Sequence, residues 1–163
     1  MKILVCGLPG SGKTWIAKRL VKHISNCAWY NADFVRKYSN DWDFSVEGRI
    51  RQANRMKTFA DFERSNGRWV ICDFVAPTNK SRSAFNADYV IWMDTIEKGR
   101  VVSSKINELN DITNLPFNVD SLSNSKAFED TTNMFETPKK IDKHITSFLN
   151  DDEIKKIAQE LTD

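Results

Sequence analysis

A run near the N-terminus has the glycine content and spacing of a phosphate-binding loop. It consists of Gly7-Leu8-Pro9-Gly10-Ser11-Gly12-Lys13-Thr14 and matches the pattern G-x-x-x-x-G-K-[ST] at every position. Glycines at these positions let the backbone wrap so that successive N–H groups point at phosphate oxygens. Lys13 would bring a positive charge to the β- and γ-phosphates of ATP, and Thr14 would offer its hydroxyl to Mg²⁺. A glycine-rich turn without a ligand is disfavoured, because the loop follows a predicted strand and opens a predicted helix.

Two carboxylates that follow predicted strands are candidates for chemistry at a bound phosphate. Asp73 ends an apolar run in the Walker B pattern, in which the carboxylate holds Mg²⁺ or its water; the alternative is a cap at the strand end. Asp33 follows a shorter strand, at the edge where open α/β sheets bind ligands. There it would orient or deprotonate an acceptor hydroxyl, unless it is only the N-cap of the next turn. The sequence leaves both pairs of alternatives open.

Three arginines have side chains suited to an anionic acceptor. Arg36 follows Asp33 by three residues, and Arg49 and Arg55 belong to a predicted helix rich in arginine. A guanidinium group binds phosphate or sulfate oxygens through two parallel hydrogen bonds. A row of arginines on one helix is also typical of a solvated face, so the spacing alone does not decide between the two roles.

The elements that must position these residues alternate between strands and helices. Short apolar runs predict strands at residues 2–6, 28–30, 68–74, 87–93 and, more weakly, 143–148. Helical spacing of apolar residues predicts helices at 13–24, 46–65 and 151–161, with a helical turn at 33–38. This alternation predicts an α/β fold, a P-loop three-layer sandwich with a mostly parallel sheet flanked by helices.

The long helix at residues 46–65 has clear predicted ends and a predicted apolar face. Ser45 is a suitable N-cap, and Asn66 followed by Gly67 is a typical stop. The stripe predicted to face the core holds Val46, Ile50, Ala53, Lys57 and Ala60, with Met56, Phe59 and Phe62 alongside.

A polar segment at residues 101–127, rich in Ser and Asn, interrupts the pattern. We expect a single domain over residues 1–163, with an insertion or lid at about 97–137 that closes over bound ligands. Lys98 and Arg100 would be lid cations at the transferring phosphate, or ordinary surface charges. Phe128 and Phe135 would be aromatic plates for a nucleobase, or ordinary core residues.

Bulk composition disfavours several classes of protein. The 24 basic and 22 acidic residues give a net charge of +2, too small to indicate a nucleic-acid or membrane partner. The apolar runs are shorter than the roughly 20 residues of a transmembrane helix, and the N-terminal one is too short for a signal peptide. The 3 cysteines include no close pair, which is typical of reduced thiols. We therefore expect a cytoplasmic protein.

Several motifs together resemble the adenylylsulfate kinase family. Residues 30–36, YNADFVR, are similar to the family's Asp-Gly-Asp-x-x-Arg, and Phe44-Ser45 before an arginine-rich helix is similar to its Phe-Ser segment. Residues 74–77, FVAP, followed by Arg82, resemble the family's Phe-Ile-Ser-Pro. Residues 128–138 resemble its late motif, Phe-x-Gly-x-Asp-x-Pro-Tyr-Glu-x-Pro. The resemblance spans residues 2 to about 138.

The resemblance implies an ATP- and Mg²⁺-dependent kinase that phosphorylates a hydroxyl of a nucleotide-type acceptor; the family reaction is 3′-phosphorylation of adenylylsulfate. The predicted catalytic residues are Lys13, Asp33 and Arg100. The predicted acceptor contacts are Asp33, Arg36, Phe44, Arg49, Gln52 and Phe128. The predicted metal ligands are Thr14 and Asp73, although the family usually has a small hydroxyl residue at the second position.

Departures from the family pattern fall mostly on the acceptor side. They are Asn31 and Ala32 for an Asp and a Gly, Gln52 for an Asn, Asn79 for an Arg, and Thr132 and Met134 for an Asp and a Pro. The chain also resembles shortened kinases that phages encode. If it is phage-encoded, the expected compartment is the host cytoplasm. Two alternatives remain: a kinase acting on a hydroxyl of a nucleic acid or modified base, and a nucleotide-binding module without catalysis.

Overall fold

The computed structural model of the protein describes residues 1–97 and 131–163. In these two ranges five strands form one sheet: β1 (Lys2–Gly7), β2 (Cys27–Asn31), β3 (Trp69–Asp73), β4 (Tyr89–Met93) and β5 (Lys143–Ile145). The strand order is β2-β3-β1-β4-β5, and every pairing is parallel. The predicted α/β fold with a parallel sheet is confirmed.

Parallel register brings the ends of four strands together. Asn31 at the end of β2 lies opposite Asp73 at the end of β3, and Asp73 lies opposite Val5 in β1. Gly7, the last residue of β1, lies opposite Met93 in β4. The carboxyl ends of the strands therefore meet around residues 7–14, at the edge where α/β proteins bind ligands.

The described helices are α1 (Lys13–Leu20), α2 (Ala32–Ser39), α3 (Val46–Ser65), α4 (Asn79–Phe85) and α5 (Asp151–Thr162), and a 3₁₀ turn at Val21–His23 follows α1. Two apolar clusters fill the space on the two faces of the sheet. One joins β1 to α1 and α5 through residues such as Ile16 and Ile154, and the other joins it to α3 and α4 through Met56 and Phe85. The result is a three-layer sandwich.

Several predicted bounds need correction. Helix α4 was not predicted, because only Arg82 and Phe85 of its residues are buried and its apolar pattern is weak. Its start is instead fixed by a capping box between Thr78 and Ser81. The predicted turn at 33–38 is a complete helix, and residues 146–148 lie beyond the end of β5.

The bounds of α3 match the prediction, but its buried face does not. Val46 and Ile50 are 68% and 57% exposed, and the buried residues are Gly48, Gln52, Met56, Ala60 and Glu63. The polar members of this face have partners: Gln52 Nε2 donates to the Ala32 carbonyl at 2.9 Å, and Glu63 accepts from Arg68 at 2.6 Å. The predicted apolar stripe is therefore right for Met56 and Ala60 and wrong for Val46 and Ile50. The long-range partners let polar side chains occupy the rest of the buried face.

Most of the predicted lid at 97–137 lies outside the described residues, and so do Lys98, Arg100, Phe128 and the whole of 101–127. Phe135 is described; its ring stacks on Trp92 with centroids 6.5 Å apart, and the Arg82 guanidinium lies 5.3 Å from its centroid. Among the helices that the structure describes, none has the length and apolarity needed to cross a membrane.

Candidate active site

The glycine-rich loop connects β1 to α1 in a tight wrap. Gly10 and Gly12 have φ angles of 89° and 99°, in the left-handed region that favours glycine. A Cβ atom on Gly7 would lie 2.5 Å from the Met93 carbonyl oxygen, so only glycine permits this approach to β4. The Lys13 ammonium donates to the Leu8 carbonyl at 2.9 Å, so its side chain reaches back across the loop.

Two features of the loop fit a phosphate group. The Ser11 hydroxyl is fully buried and has no hydrogen-bond partner within the described residues. Helix α1 has Gly12 as its N-cap, which provides no side chain to accept from the first N–H groups. Phosphate oxygens would accept from both, and the positive end of α1 favours an anion there.

Beside the loop, three polar side chains from different elements meet. Asn31 Nδ2 donates to Thr14 Oγ1 and to Asp73 Oδ2, both at 3.0 Å. The indole N–H of Trp29 donates to the other oxygen, Asp73 Oδ1, at 3.0 Å. Thr14, Asn31 and Asp73 are therefore joined directly at the carboxyl edge of the sheet.

The Asp73 carboxylate is nearly inaccessible, at 2% exposed. Burial raises its pKa to about 6, while hydrogen bonds from Trp29, Asn31 and Thr14 and the charge of Lys13 act in the opposite direction. Its oxygens and the Thr14 hydroxyl are hard donors of the kind that Mg²⁺ prefers, and such sites need only one or two carboxylates. The donor set therefore fits a phosphate-bound Mg²⁺.

Asn31 and Trp29 were not assigned a role from the sequence. Asn31 was noted only as a departure from the family pattern, and Trp29 belongs to no motif that singles it out. A signal was available for Asn31, because an Asn between a strand and a helix is a favoured N-cap. Its contact with Asp73 depends on the register between β2 and β3, which the sequence does not specify.

Asp33 lies in the first turn of α2, two residues after Asn31. The N-cap of α2 is Asn31, whose side chain accepts from the Phe34 N–H at 3.0 Å. The alternative interpretation of Asp33 as that cap is therefore wrong. An acidic residue at this position also interacts favourably with the helix dipole, and its charge acts on the nearby Arg36.

Three of the predicted acceptor residues, Arg36, Phe44 and Arg49, contact or belong to one loop, at residues 41–45. Arg36 is 5% exposed and donates from one nitrogen to the Asp41 and Asp43 carbonyls at 2.9 and 3.1 Å, with its guanidinium 4.4 Å from the Phe44 ring centroid. Burial lowers the pKa of Arg36 to about 10, which still leaves it charged at neutral pH. Arg49 Nε donates to the Phe44 carbonyl at 2.9 Å. Both arginines therefore shape this loop.

Arg55 also has a partner in this loop. It is therefore not a purely solvated charge. Its guanidinium donates to Asp41 Oδ2 at 2.7 Å, and Arg51 binds the same carboxylate at 2.6 and 3.0 Å. These two arginines hold the pKa of Asp41 well below its usual range. Gln52 is turned toward the start of α2 by its bond to Ala32.

The loop between β3 and α4 is held by contacts with the segment after residue 131. The buried guanidinium of Arg82 donates to the carbonyls of Ala76 and Glu136, the latter at 2.6 Å, and to Asn79 Oδ1 at 3.0 Å. The Glu136 N–H donates to the Pro77 carbonyl at 2.7 Å. The segment after residue 131 is therefore fixed to the end of β3.

Phe148 is an exposed aromatic ring that the sequence placed in a strand. It lies in the turn before α5, is 65% exposed, and its ring packs against Gly12, where an added Cβ would lie 3.2 Å from Cε1. A base extending from a phosphate in the loop would find a stacking surface there.

Three features define a P-loop protein with a kinase-like fold. They are a phosphate loop between β1 and α1, a parallel sheet in the order 2-3-1-4-5, and a buried carboxylate at the end of β3. The chain belongs to the AAA domain family, whose model matches residues 3–108.

Relatives of known name fit this classification. A protein of Aeropyrum pernix named probable adenylyl-sulfate kinase is 35% identical over 86 residues, which are 50% of this chain and 47% of that protein. The match thus spans about half the length of that relative. The APS kinase of Mycobacterium tuberculosis, solved with AMPPNP and APS, has a TM-score of 0.62 at 19% identity, covering 99% of this chain and 94% of that one. A sugar kinase from Janibacter has a TM-score of 0.64 at 14% identity, covering 98% and 92%.

At these identities the solved structures show a shared fold. With the family model and the Aeropyrum relative, they confirm the predicted resemblance to adenylylsulfate kinases. The names of these relatives mention no nucleic-acid substrate. They therefore give no support to the alternative of a nucleic-acid acceptor.

Proposed function

We propose that the protein is an ATP-dependent kinase that transfers the γ-phosphate to a hydroxyl of a small nucleotide-type acceptor, in the manner of an adenylylsulfate kinase. The observation that carries the proposal is the direct contact of Thr14, Asn31 and Asp73 beside the phosphate loop. A carboxylate held beside the Thr14 hydroxyl would place Mg²⁺ next to the β- and γ-phosphates, as phosphate transfer requires. The Aeropyrum relative supports the choice of acceptor class.

In this proposal each residue of the loop has a defined task. The N–H groups of residues 7–14 bind phosphate oxygens, and Lys13 leaves the Leu8 carbonyl to follow the transferring group. Thr14 and Asp73 would hold Mg²⁺, which when bound supplies positive charge to the β- and γ-phosphates. Asn31 and Trp29 keep the Asp73 carboxylate in position. Catalysis is then by positioning and charge neutralisation.

The acceptor would lie between the loop at 41–45 and the end of β3. Asp33 would accept the proton of its hydroxyl or orient it toward the phosphate. Arg36, Phe44, Arg49 and Gln52 border this region, and we propose them as contacts or supports for an anionic acceptor. Arg100 and Phe128 lie outside the described residues and remain predictions.

A phosphate-transfer screen tests the proposal. The chain is incubated with γ-labelled ATP, Mg²⁺ and, separately, adenylylsulfate, nucleosides, nucleotides, single-stranded DNA and double-stranded DNA. We expect label on a nucleotide-type acceptor and none with the Lys13→Ala variant. ATP binding without transfer to any acceptor would contradict the proposal and favour a nucleotide-binding module without catalysis. Transfer only to DNA would contradict the choice of acceptor.

Replacing Asn31 by Asp tests the metal position. A second carboxylate about 3 Å from Asp73 cannot ionise with it at neutral pH, so the folded pair retains a proton that the unfolded chain has lost. Because the folded state then binds more protons, stability falls as pH rises above the ordinary Asp pKa of about 4. We expect the melting temperature of Asn31→Asp to lie below that of the parent at pH 8. This difference in melting temperature should be smaller at pH 5, and Mg²⁺ should reduce it at pH 8.

The matched control is Asn54→Asp, an identical change at an exposed position of α3. Its melting temperature should stay close to that of the parent at both pH values and should not depend on Mg²⁺. If the melting temperature of Asn31→Asp is insensitive to Mg²⁺, the assignment of the metal position is wrong.

Replacing Phe148 by Ala tests the position of the ATP base. Stacking of a base on an aromatic ring contributes roughly 1–3 kcal/mol, so we expect the KM for ATP to rise about fivefold or more. Stability should change little, because the ring is exposed. Phe62→Ala, at a residue with 63% exposure on α3, is the matched control and should leave the KM unchanged. Equal KM values for both variants would remove Phe148 from the site.

A further inference from the structure

A cavity lies at the open edge of the sheet, away from the phosphate loop. Strand β2 is an edge strand, and between it, α2 and α3 the surface is indented by a cavity of about 630 Å³. Five of the side chains that line it are aromatic: Trp29, Tyr30, Phe34, Tyr38 and Phe59. Its volume lies within the roughly 300–1,000 Å³ typical of small-molecule sites.

The aromatic rings of this cavity are already arranged against one another. Tyr30 and Phe59 stack with centroids 5.1 Å apart and planes 16° apart, and Phe34 and Tyr38 stack at 6.4 Å and 22°. Trp29 meets Phe34 edge-on at 6.5 Å. Ring faces fixed in this way can stack on a planar ligand without a large loss of side-chain freedom.

Two of these rings are exposed in the part of the chain that the structure describes. Tyr38 is 78% exposed and Phe59 is 37% exposed, although both are large and largely apolar. Concave surfaces lined by exposed aromatic side chains, with a few polar groups, are typical of ligand sites. Here the Arg55 guanidinium belongs to the wall and supplies N–H groups beyond the two that it donates to Gln52 and Asp41.

The cavity is separate from the proposed acceptor cleft. Of the described acceptor candidates, only Arg55 lies in its wall, and Asp33, Arg36, Phe44, Arg49 and Gln52 do not. The loop residues 7–14 are also absent from its wall. A ligand in this cavity would therefore leave the places of ATP and of the acceptor vacant.

The wall nevertheless contacts the phosphate site directly. Asn31 bonds Thr14 and Asp73 at 3.0 Å, and the indole N–H of Trp29 bonds the other oxygen of Asp73 at 3.0 Å. Movement of either wall residue would change the position of the carboxylate proposed to hold Mg²⁺. A ligand here has a physical route to the metal position.

We propose that this cavity is a second binding site, for a planar nucleobase that stacks on the rings of Tyr38 and Phe59. The base belongs to a free nucleoside or to a single-stranded oligonucleotide, which share this chemistry. Occupancy changes Mg²⁺–nucleotide binding at the loop through Trp29 and Asn31. The site goes beyond the proposed kinase activity and does not depend on it, since its binding is measured without turnover.

The test measures binding with the phosphate loop already filled. The full chain is saturated with a non-hydrolysable ATP analogue and Mg²⁺, and adenosine, guanosine, cytidine and thymidine are titrated separately by calorimetry. Ribose serves as the non-aromatic probe. We expect saturable binding of at least one nucleoside, no binding of ribose, and a shift of the Trp29 indole N–H resonance on binding. A thymidine pentanucleotide, titrated in parallel, assigns the source of the base: tighter binding than thymidine indicates a strand, and weaker or equal binding a free nucleoside.

Variants identify the rings that bind. Phe59→Ala should weaken nucleoside binding about tenfold or more. Tyr38→Ala, at a residue too exposed to support the core, should weaken it by a similar factor and guards against a folding defect in the first variant. Phe62→Ala, three residues further along the same helix and outside the cavity wall, should leave it unchanged.

Three outcomes would overturn the proposal. The first is the absence of saturable binding for all four nucleosides and the pentanucleotide. The second is binding that the ATP analogue abolishes, because the nucleoside would then occupy the loop site. The third is binding that Phe59→Ala and Tyr38→Ala leave unchanged, because the base would then lie in another cleft. Loss of kinase activity in the screen described above would leave this binding test unaffected.

Discussion

Lys13→Ala is expected to lower phosphate transfer by at least ~10²- to 10³-fold, the effect of removing one pre-positioned group that stabilises charge in a transition state. The Lys13 ammonium lies at the loop, bound to the Leu8 carbonyl at 2.9 Å, within the structure that would receive the β- and γ-phosphates. Alanine removes the charge that follows the transferring group and leaves the backbone cradle of residues 7–14 in place. The rate of label transfer from ATP at saturating acceptor measures the loss.

The variant should remain folded. Its loss of one hydrogen bond from a half-buried lysine corresponds to roughly 1 kcal/mol, so the melting temperature should fall by only a few degrees. Lys18→Ala is the matched control, an exposed lysine in the last turn of the same helix, and should transfer at the parental rate. Near-parental transfer by folded Lys13→Ala would contradict the assignment of the loop as a kinase site.

The parts of the fold that the sequence predicted well are those encoded by local pattern. The bounds of α3 follow from Ser45, whose side chain accepts from the Gly48 N–H at 3.2 Å, and from Asn66 at its end. The strands β1, β3 and β4 are continuous apolar runs, as expected for strands covered by helices on both faces. The phosphate loop was predicted because its function depends on spacing within eight residues.

The parts that the sequence did not predict depend on partners distant in the chain. The polar buried face of α3 needs Ala32 and Arg68 as partners for Gln52 and Glu63. Helix α4 is held by Phe85 in the apolar cluster and by Arg82, which donates to the carbonyls of Ala76 and Glu136. No periodicity within 46–65 or 79–85 contains this information. The predicted buried face of α3 is therefore only partly right, and α4 was not predicted.

The candidate site shows the same division. Lys13, Thr14 and Asp73 were identified from local motifs, and the structure places Asp73 against the loop. The contacts of Trp29 and Asn31 with Asp73 arise only when β2 and β3 pair in their observed register. A shift of one residue would turn the Asn31 side chain to the other face of the sheet. The contacts that hold the Asp73 carboxylate therefore depend on the pairing of β2 with β3, although Trp29 and Asn31 are near Asp33 in the sequence.

Asp33→Asn is expected to lower kcat about 10²- to 10⁴-fold, the usual contribution of a positioned general acid or base. The substitution keeps the shape of the side chain and removes the negative charge that would accept or orient the acceptor proton. Because Asn31 and not Asp33 caps α2, the fold does not depend on this carboxylate for the start of the helix. Loss of its interaction with the helix dipole corresponds to about 0.3–1 kcal/mol of stability, and the KM for ATP should change little.

The control for Asp33→Asn is Glu47→Gln, which removes an acidic charge from the first turn of α3 at an exposed position. Both variants lose a similar dipole interaction, so a similar small drop in melting temperature is expected for the two. Only Asp33→Asn should lose kcat, since Glu47 lies beyond the loop at 41–45 and not at the end of a strand. A parental kcat in Asp33→Asn, measured with the acceptor that the screen identifies, would exclude a catalytic role for this residue. Equal losses of kcat in both variants would trace the effect to helix electrostatics and not to proton transfer.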